Sequence, residues 1–197
     1  MEFIFLTEVG SKTVELVKKA IYTLGPPPID VVIFGADVTR LETEDVFTLK
    51  VSLPLDIYQV MRETATAHAL ASPDLLEVWV VPHDVRPDPL AYELSQALLA
   101  RVVDMLVAKA SPELVVERAR VEVVEGETVV QTLVKTLAVD VSISLAVAGH
   151  IGEAARLLNR LAGHPIYETY RRLWDFATAN FKFLPIYNWL NLLAPPR

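Results

Sequence analysis

The chain has 197 residues, a formal charge of -7, 52% hydrophobic residues and no cysteine. That apolar share, with a mean hydropathy of +0.35, supplies a folded core, while the missing thiols exclude disulfides, thiolate nucleophiles and cysteine zinc sites. A pI near 5.1 runs against a protein that coats duplex nucleic acid, because such binding draws on many Lys and Arg side chains at phosphates.

The charge is uneven. From His150 onward Arg156, Arg160, Arg171, Arg172, Lys182 and Arg197 outnumber Glu153, Glu168 and Asp175, so the tail is basic and the body acidic. No apolar stretch approaches the ~18 residues of a membrane span, and the opening MEFIFLTE carries Glu2 and Glu8 in place of a basic leader region. A cytoplasmic protein without a membrane partner is expected. Sparse Asn, Gln and Met beside 13 Pro resemble the bias of proteins from hot environments.

Residues 1–6 read as a strand and 11–24 as a helix, with Val14, Val17, Ile21 and Leu24 at helical spacing before Gly25 and three prolines stop it. The apolar run 30–35 suits a strand covered on both faces, completing a βαβ unit. Residues 38–45 are polar, and 47–53 alternate as a strand with one wet face. Asp56, with Gln59 three residues on, predicts a helix that closes at Ser72-Pro73, followed by a buried strand over 75–81.

Asp88-Pro89 marks the start of a helix whose stripe Leu94, Leu98, Val102 and Met105 runs to Ser111-Pro112. A strand is expected over 114–124, a helix over 127–137, a last strand over 138–143 and a helix over 144–162. This order predicts an α/β, three-layer Rossmann-like fold with a largely parallel, doubly wound sheet. Residues 1–163 would form that domain and 164–197 an aromatic-rich helical appendage, since half of the aromatic residues lie there. Such a tail covers its own domain or a partner chain.

Two junctions stand out for chemistry. Gly10-Ser11-Lys12-Thr13 joins a strand to a helix but lacks the GxxxxGK[ST] spacing of a Walker loop. It offers unpaired N–H groups, a positive dipole end and the donors Ser11, Lys12 and Thr13; the alternative is a simple turn. Asp140, Ser142 and Ser144 form the second junction, and ligands of open α/β sheets collect beyond the carboxyl ends of strands. His68 shares a face with Ile57, Met61 and Thr64, as a satisfied half-buried imidazole. His83 falls at the functional edge of the sheet, His150 and Glu153 sit one turn apart, and His164 precedes a proline. The acidic runs Glu42, Glu44, Asp45 and Glu122, Glu125, Glu127 read as solvated charge. No metal and no cofactor are expected.

With these elements the chain resembles the CRISPR-associated Rossmann-fold (CARF) domains, sensors and ring nucleases that recognise cyclic oligoadenylate. The resemblance rests on the opening strand with its Gly10-Ser11-Lys12-Thr13 turn, the strand Val31 to Gly35, and Val139-Asp140-Val141-Ser142 leading into an alanine-rich helix. It implies a homodimer that binds a small cyclic nucleotide, with Gly10, Thr13, Asp140, Ser142 and Ser144 as binding residues. If the ring is cut, it implies metal-independent attack of a ribose 2′-hydroxyl on phosphate, with Lys12 and Ser11 catalytic. Where that family has a glycine after the late Asp, this chain has Ile143-Ser144. Two other readings stay open: an assembly protein that oligomerises through its aromatic tail, and a small-molecule α/β enzyme.

Overall fold

The computed structural model describes residues 1–75, 89–181 and 189. The chain divides into two compact units, residues 1–72 and 73–197, so the expected boundary at 163 falls inside the second. Among the described residues the fold is mixed α/β with one open, mostly parallel four-stranded sheet.

The first unit runs β1 (Glu2–Phe5), α1 (Ser11–Thr23), β2 (Val31–Ala36), β3 (Arg40–Glu42), β4 (Thr48–Ser52) and α2 (Ile57–Ala71). The sheet order is β1-β2-β4-β3; β2 pairs in parallel with β1 and β4, and β3 is antiparallel to β4. The period of two along strands puts Val32 and Phe34 beside Leu49 and Val51, all fully buried, while Val31, Ile33, Thr48 and Lys50 stay half-buried on the other face. Helices α1 and α2 pack on each other and therefore share one face of the sheet. Within this unit that makes two layers, without a helix on the opposite face. Asp56 caps α2, accepting from the Gln59 N–H at 3.3 Å, as its spacing predicts. The short β3 arises inside the polar stretch 38–45, which carries no strand signal; the Glu63 carboxylate of α2 accepts from the Leu41 N–H at 2.8 Å and holds it.

The described part of the second unit is helical: α3 (Pro89–Ala110), α4 (Pro112–Glu117), α5 (Val129–Val139), α6 (Ser142–Val147), α7 (Ile151–Leu158), a 3-10 turn (Asn159–Leu161) and α8 (Tyr167–Asn180). Buried nearly all round, α3 packs against α4, α5 and α6 and forms the centre of this unit.

Two expected strands are helical instead. Residues 112–117 wind into α4 because Pro112 follows Ser111 at the first helical position, which outweighs the β-branched run behind it. The segment 118–126 is irregular; α5 secures it through its threonines, Thr136 Oγ1 accepting from the Val124 N–H and Thr132 Oγ1 from that of Gly126. Residues 138–143 are the end of α5 and the start of α6. All that resembles a strand there is one parallel bridge between Arg120 and Asp140. The expected long helix over 144–162 is split at Gly149, φ +100°, where Gly149 N–H bonds Ala146 O and His150 N–H bonds Leu145 O, a Schellman stop. The strand expected over 75–81 and His83 lie outside the described residues, apart from Leu75.

Candidate functional site

The parallel strands of the first unit end at a crevice. Its larger part, about 920 Å³, is a shallow depression lined by Phe5, Leu6, Thr7, Glu8, Val9, Gly10 and Val14. Beside it a smaller one of about 230 Å³ is lined by Leu6, Gly35, Ala36, Asp37, Val38, Arg40 and Lys50. Leu6 walls both. The two meet closely because Gly35 takes φ +85° at a register break in β2: a Cβ there would sit 2.7 Å from Thr7 Cγ2.

Of the residues the sequence singles out, Gly10 lines this crevice. Ser11, Lys12 and Thr13 form the adjoining first turn of α1, Ser11 and Lys12 exposed. Gly10 is the N-cap and contributes no side chain, and no acid stands in the first turn. The Thr13 and Val14 N–H groups bond Gly10 O; the amides of Ser11 and Lys12 remain at the positive end of the helix. Phe5 is 49% exposed and stacks on Phe34, ring centroids 5.2 Å apart and ring planes nearly parallel. Across the smaller depression Glu42 pairs with both Arg40 (2.6 Å) and Lys50 (2.7 Å). The Lys50 ammonium hydrogen-bonded to it, assisted by Arg40, holds the Glu42 carboxyl below its ordinary range against a smaller opposing effect of burial. Glu42 and Asp37 balance the charge of Arg40 and Lys50 at this rim, and Glu8 adds a negative charge in the larger depression.

Asp140, Ser142 and Ser144 belong to the second unit and are at most 1% exposed. Their polar atoms are engaged inside it. Asp140 accepts from the Ser142 N–H (2.9 Å), the Ser142 hydroxyl (2.6 Å) and the Tyr170 hydroxyl (2.8 Å). Trp174 Nε1 donates to Ser142 Oγ (2.8 Å), and the Ser144 hydroxyl donates to Arg101 O (2.8 Å). Arg101, 2% exposed, reaches Asp104 (2.8 Å) and Ala138 O (3.2 Å), while its Nε and Nη1 find no hydrogen-bond partner. The cluster fastens α8 to the α5–α6 junction and ends α5, the Asp140 carboxylate capping the helix that follows. Burial first, then the Asp140 charge and hydrogen bond, push the Tyr170 hydroxyl well above its ordinary pKa, with Arg101 pulling the other way.

The lone histidines resolve individually. His68 is half-buried, but its Nε2 has no partner, and burial lowers its pKa. His150 is the N-cap of α7, and its neighbour Glu153 is taken by Arg156 at 2.8 Å. His164 accepts from the Ile166 N–H (3.2 Å) and meets Glu125 (3.2 Å). Among the described residues no group of three or more His, Asp or Glu could share an ion, and no helix is long and apolar enough to cross a membrane.

Sequence reasoning passes over Phe5, Leu6, Arg40 and Lys50 in the crevice and Arg101, Tyr170 and Trp174 in the buried cluster. Phe5 and Leu6 close a predicted strand at its ligand-facing end, which is the signal available for them. Arg101 and Tyr170 carry none, since each lies in a helix whose apolar stripe accounts for its neighbours. No family model, no curated protein and no solved structure matches the chain.

Proposed function

We propose that the crevice at the carboxyl ends of β1, β2 and β4 binds a nucleotide-like anion, its phosphate at the N-terminus of α1 and its base against Phe5. The observation that carries this reading is the α1 N-terminus, without a side-chain cap, opening beside a crevice that holds an exposed aromatic ring. Lys12 adds charge, and Arg40 and Lys50, already paired with Glu42, add donors on the far side. The resemblance to CARF domains makes a cyclic oligoadenylate the ligand to try first. Asp140, Ser142 and Ser144 are left out of this site because their polar atoms serve the interior of the second unit.

Titration calorimetry with cyclic tetra- and hexa-adenylate, and with ATP for comparison, tests the proposal. Binding to the full chain, weakened several-fold by Lys12→Ala and by Phe5→Ala, is the expected result; no heat with any of the three ends it. Chromatography of the same samples reads whether a ring is opened, the step for which Ser11 and Lys12 stand as candidates. The assembly reading rests on the aromatic tail, and in its described part Tyr170, Leu173, Ala177, Phe181 and Trp189 are buried, with Phe176 and Phe181 each setting an edge against Trp189 at 6.0 Å.

A further inference from the structure

We propose that the free edge of β1 is the seam of a twofold homodimer, in which a second copy of this chain adds its own β1 antiparallel with the axis through Ile4. In the order β1-β2-β4-β3, β1 is an outer strand, and among the described residues no strand pairs with its far side. Backbone groups alternate along a strand. The Glu2 N–H bonds Asp30 O (2.7 Å) and the Leu6 N–H bonds Phe34 O (3.0 Å), so Glu2, Ile4 and Leu6 address β2 while Phe3 and Phe5 present N–H and C=O outward. Edges are ordinarily blunted by charge, proline, a bulge or shortness; β1 is short and opens with Glu2, but Phe3–Phe5 carries no charge, proline or bulge. Apolar exposure gathers here instead: Ile4 is 37%, Phe5 49% and Leu6 65% exposed.

The pattern is complementary to itself. About an axis at Ile4, Phe3 faces the partner's Phe5 in a hydrogen-bonded pair, and the reciprocal pair repeats it. Ile4 faces the partner's Ile4, and Glu2 faces the partner's Leu6, so no like charges meet along the strand. On the helical face Lys18 Nζ lies 4.7 Å from the Phe3 ring centroid, which turns the α1 stripe Ser11, Glu15, Lys18 and Tyr22 toward this edge. Tyr22 is 56% exposed, and Glu15 and Lys18 are exposed as well. Because α1 runs back along β1, the twofold axis sets Glu15 against the partner's Lys18 and Lys18 against the partner's Glu15. Two strand spacings of about 4.8 Å separate the crossover helices, roughly 10 Å apart and within helix-packing range. Phe5 and Leu6 belong both to this seam and to the crevice wall, so the tests of the dimer use Ile4, Glu15 and Lys18, which line neither depression, and its failure is read apart from a failure of ligand binding.

Sedimentation of the full chain is expected to give twice the 21.9 kDa of one copy. The absence of native cysteine makes Ile4→Cys a clean probe: facing positions of a non-hydrogen-bonded antiparallel pair have Cα atoms about 4.5 Å apart, within disulfide reach. Oxidised I4C is expected to run as a covalent dimer, and Val129→Cys, exposed on the other unit, as a monomer. Glu15→Lys or Lys18→Glu alone weakens association several-fold, and the two together restore it, a rescue that general misfolding does not give. A monomeric wild type at the highest concentration reached, I4C coupling no faster than V129C, or a double exchange that fails to rescue overturns the proposal.

Discussion

Asp140 is wholly buried, yet its carboxylate collects three hydrogen bonds, two from hydroxyls and one from a backbone amide. A buried carboxylate is tolerable only when its oxygens are met in this way. Tyr170→Phe deletes one donor and leaves Asp140 Oδ2 with the Ser142 hydroxyl alone. It is expected to lower unfolding free energy by about 1–3 kcal/mol, read from urea midpoints. Retention of wild-type stability would show that Tyr170 contributes its ring and not its hydroxyl. The same residues show where reading a sequence stops. An Asp-x-Ser before an alanine-rich stretch suits a strand leading into a helix, and it suits equally an aspartate that caps the next helix; only the position of Tyr170, thirty residues away, distinguishes them.

Element by element, the first unit apart from β3 is legible because its signals are local. Alternation marks β4, the apolar run marks β2, Asp56 with Gln59 marks the start of α2, and Gly25 with three prolines ends α1. The second unit misleads because β-branched runs such as Val115-Val116 occupy helices, where tertiary burial overrides propensity. In α5 the start is set by a capping box: Thr128 accepts from the Gln131 N–H (3.2 Å) and Gln131 Oε1 from the Thr128 N–H (3.1 Å). Thr128→Ala removes the cap and is expected to cost about 1 kcal/mol, measured as a shift in urea midpoint; Thr128→Ser keeps it and serves as the control. Of the candidate site, the Gly10 junction was visible as a strand-to-helix turn, whereas Arg40 and Lys50 come to it through β3 and β4, a pairing no local pattern records.

For the whole molecule, two titrating groups bound the pH range of greatest stability. His68 has an ordinary pKa of 6.5, lowered by burial, so the folded chain takes up its proton at a lower pH than the unfolded chain. Its contribution is complete above about 6.5 and is lost as pH falls below that value, because the unfolded chain takes up the proton first. Tyr170, ordinarily at 10.0, is raised; its contribution is complete below about 10 and is lost as pH rises beyond it, because the unfolded chain releases the proton first. Urea midpoints are therefore expected to be level between these limits as far as these groups are concerned. His68→Leu should flatten the acid limb and Tyr170→Phe the alkaline one, and limbs unchanged by both variants would assign the dependence to other groups.

The indole of Trp174 gives its N–H to a serine hydroxyl that is itself completely enclosed. With Trp79 and Trp189 replaced by Phe, its emission colour reports whether α8 is seated. A red shift preceding the loss of helical ellipticity on heating would identify undocking of that helix as the earliest event in melting, an optical handle that requires no added dye.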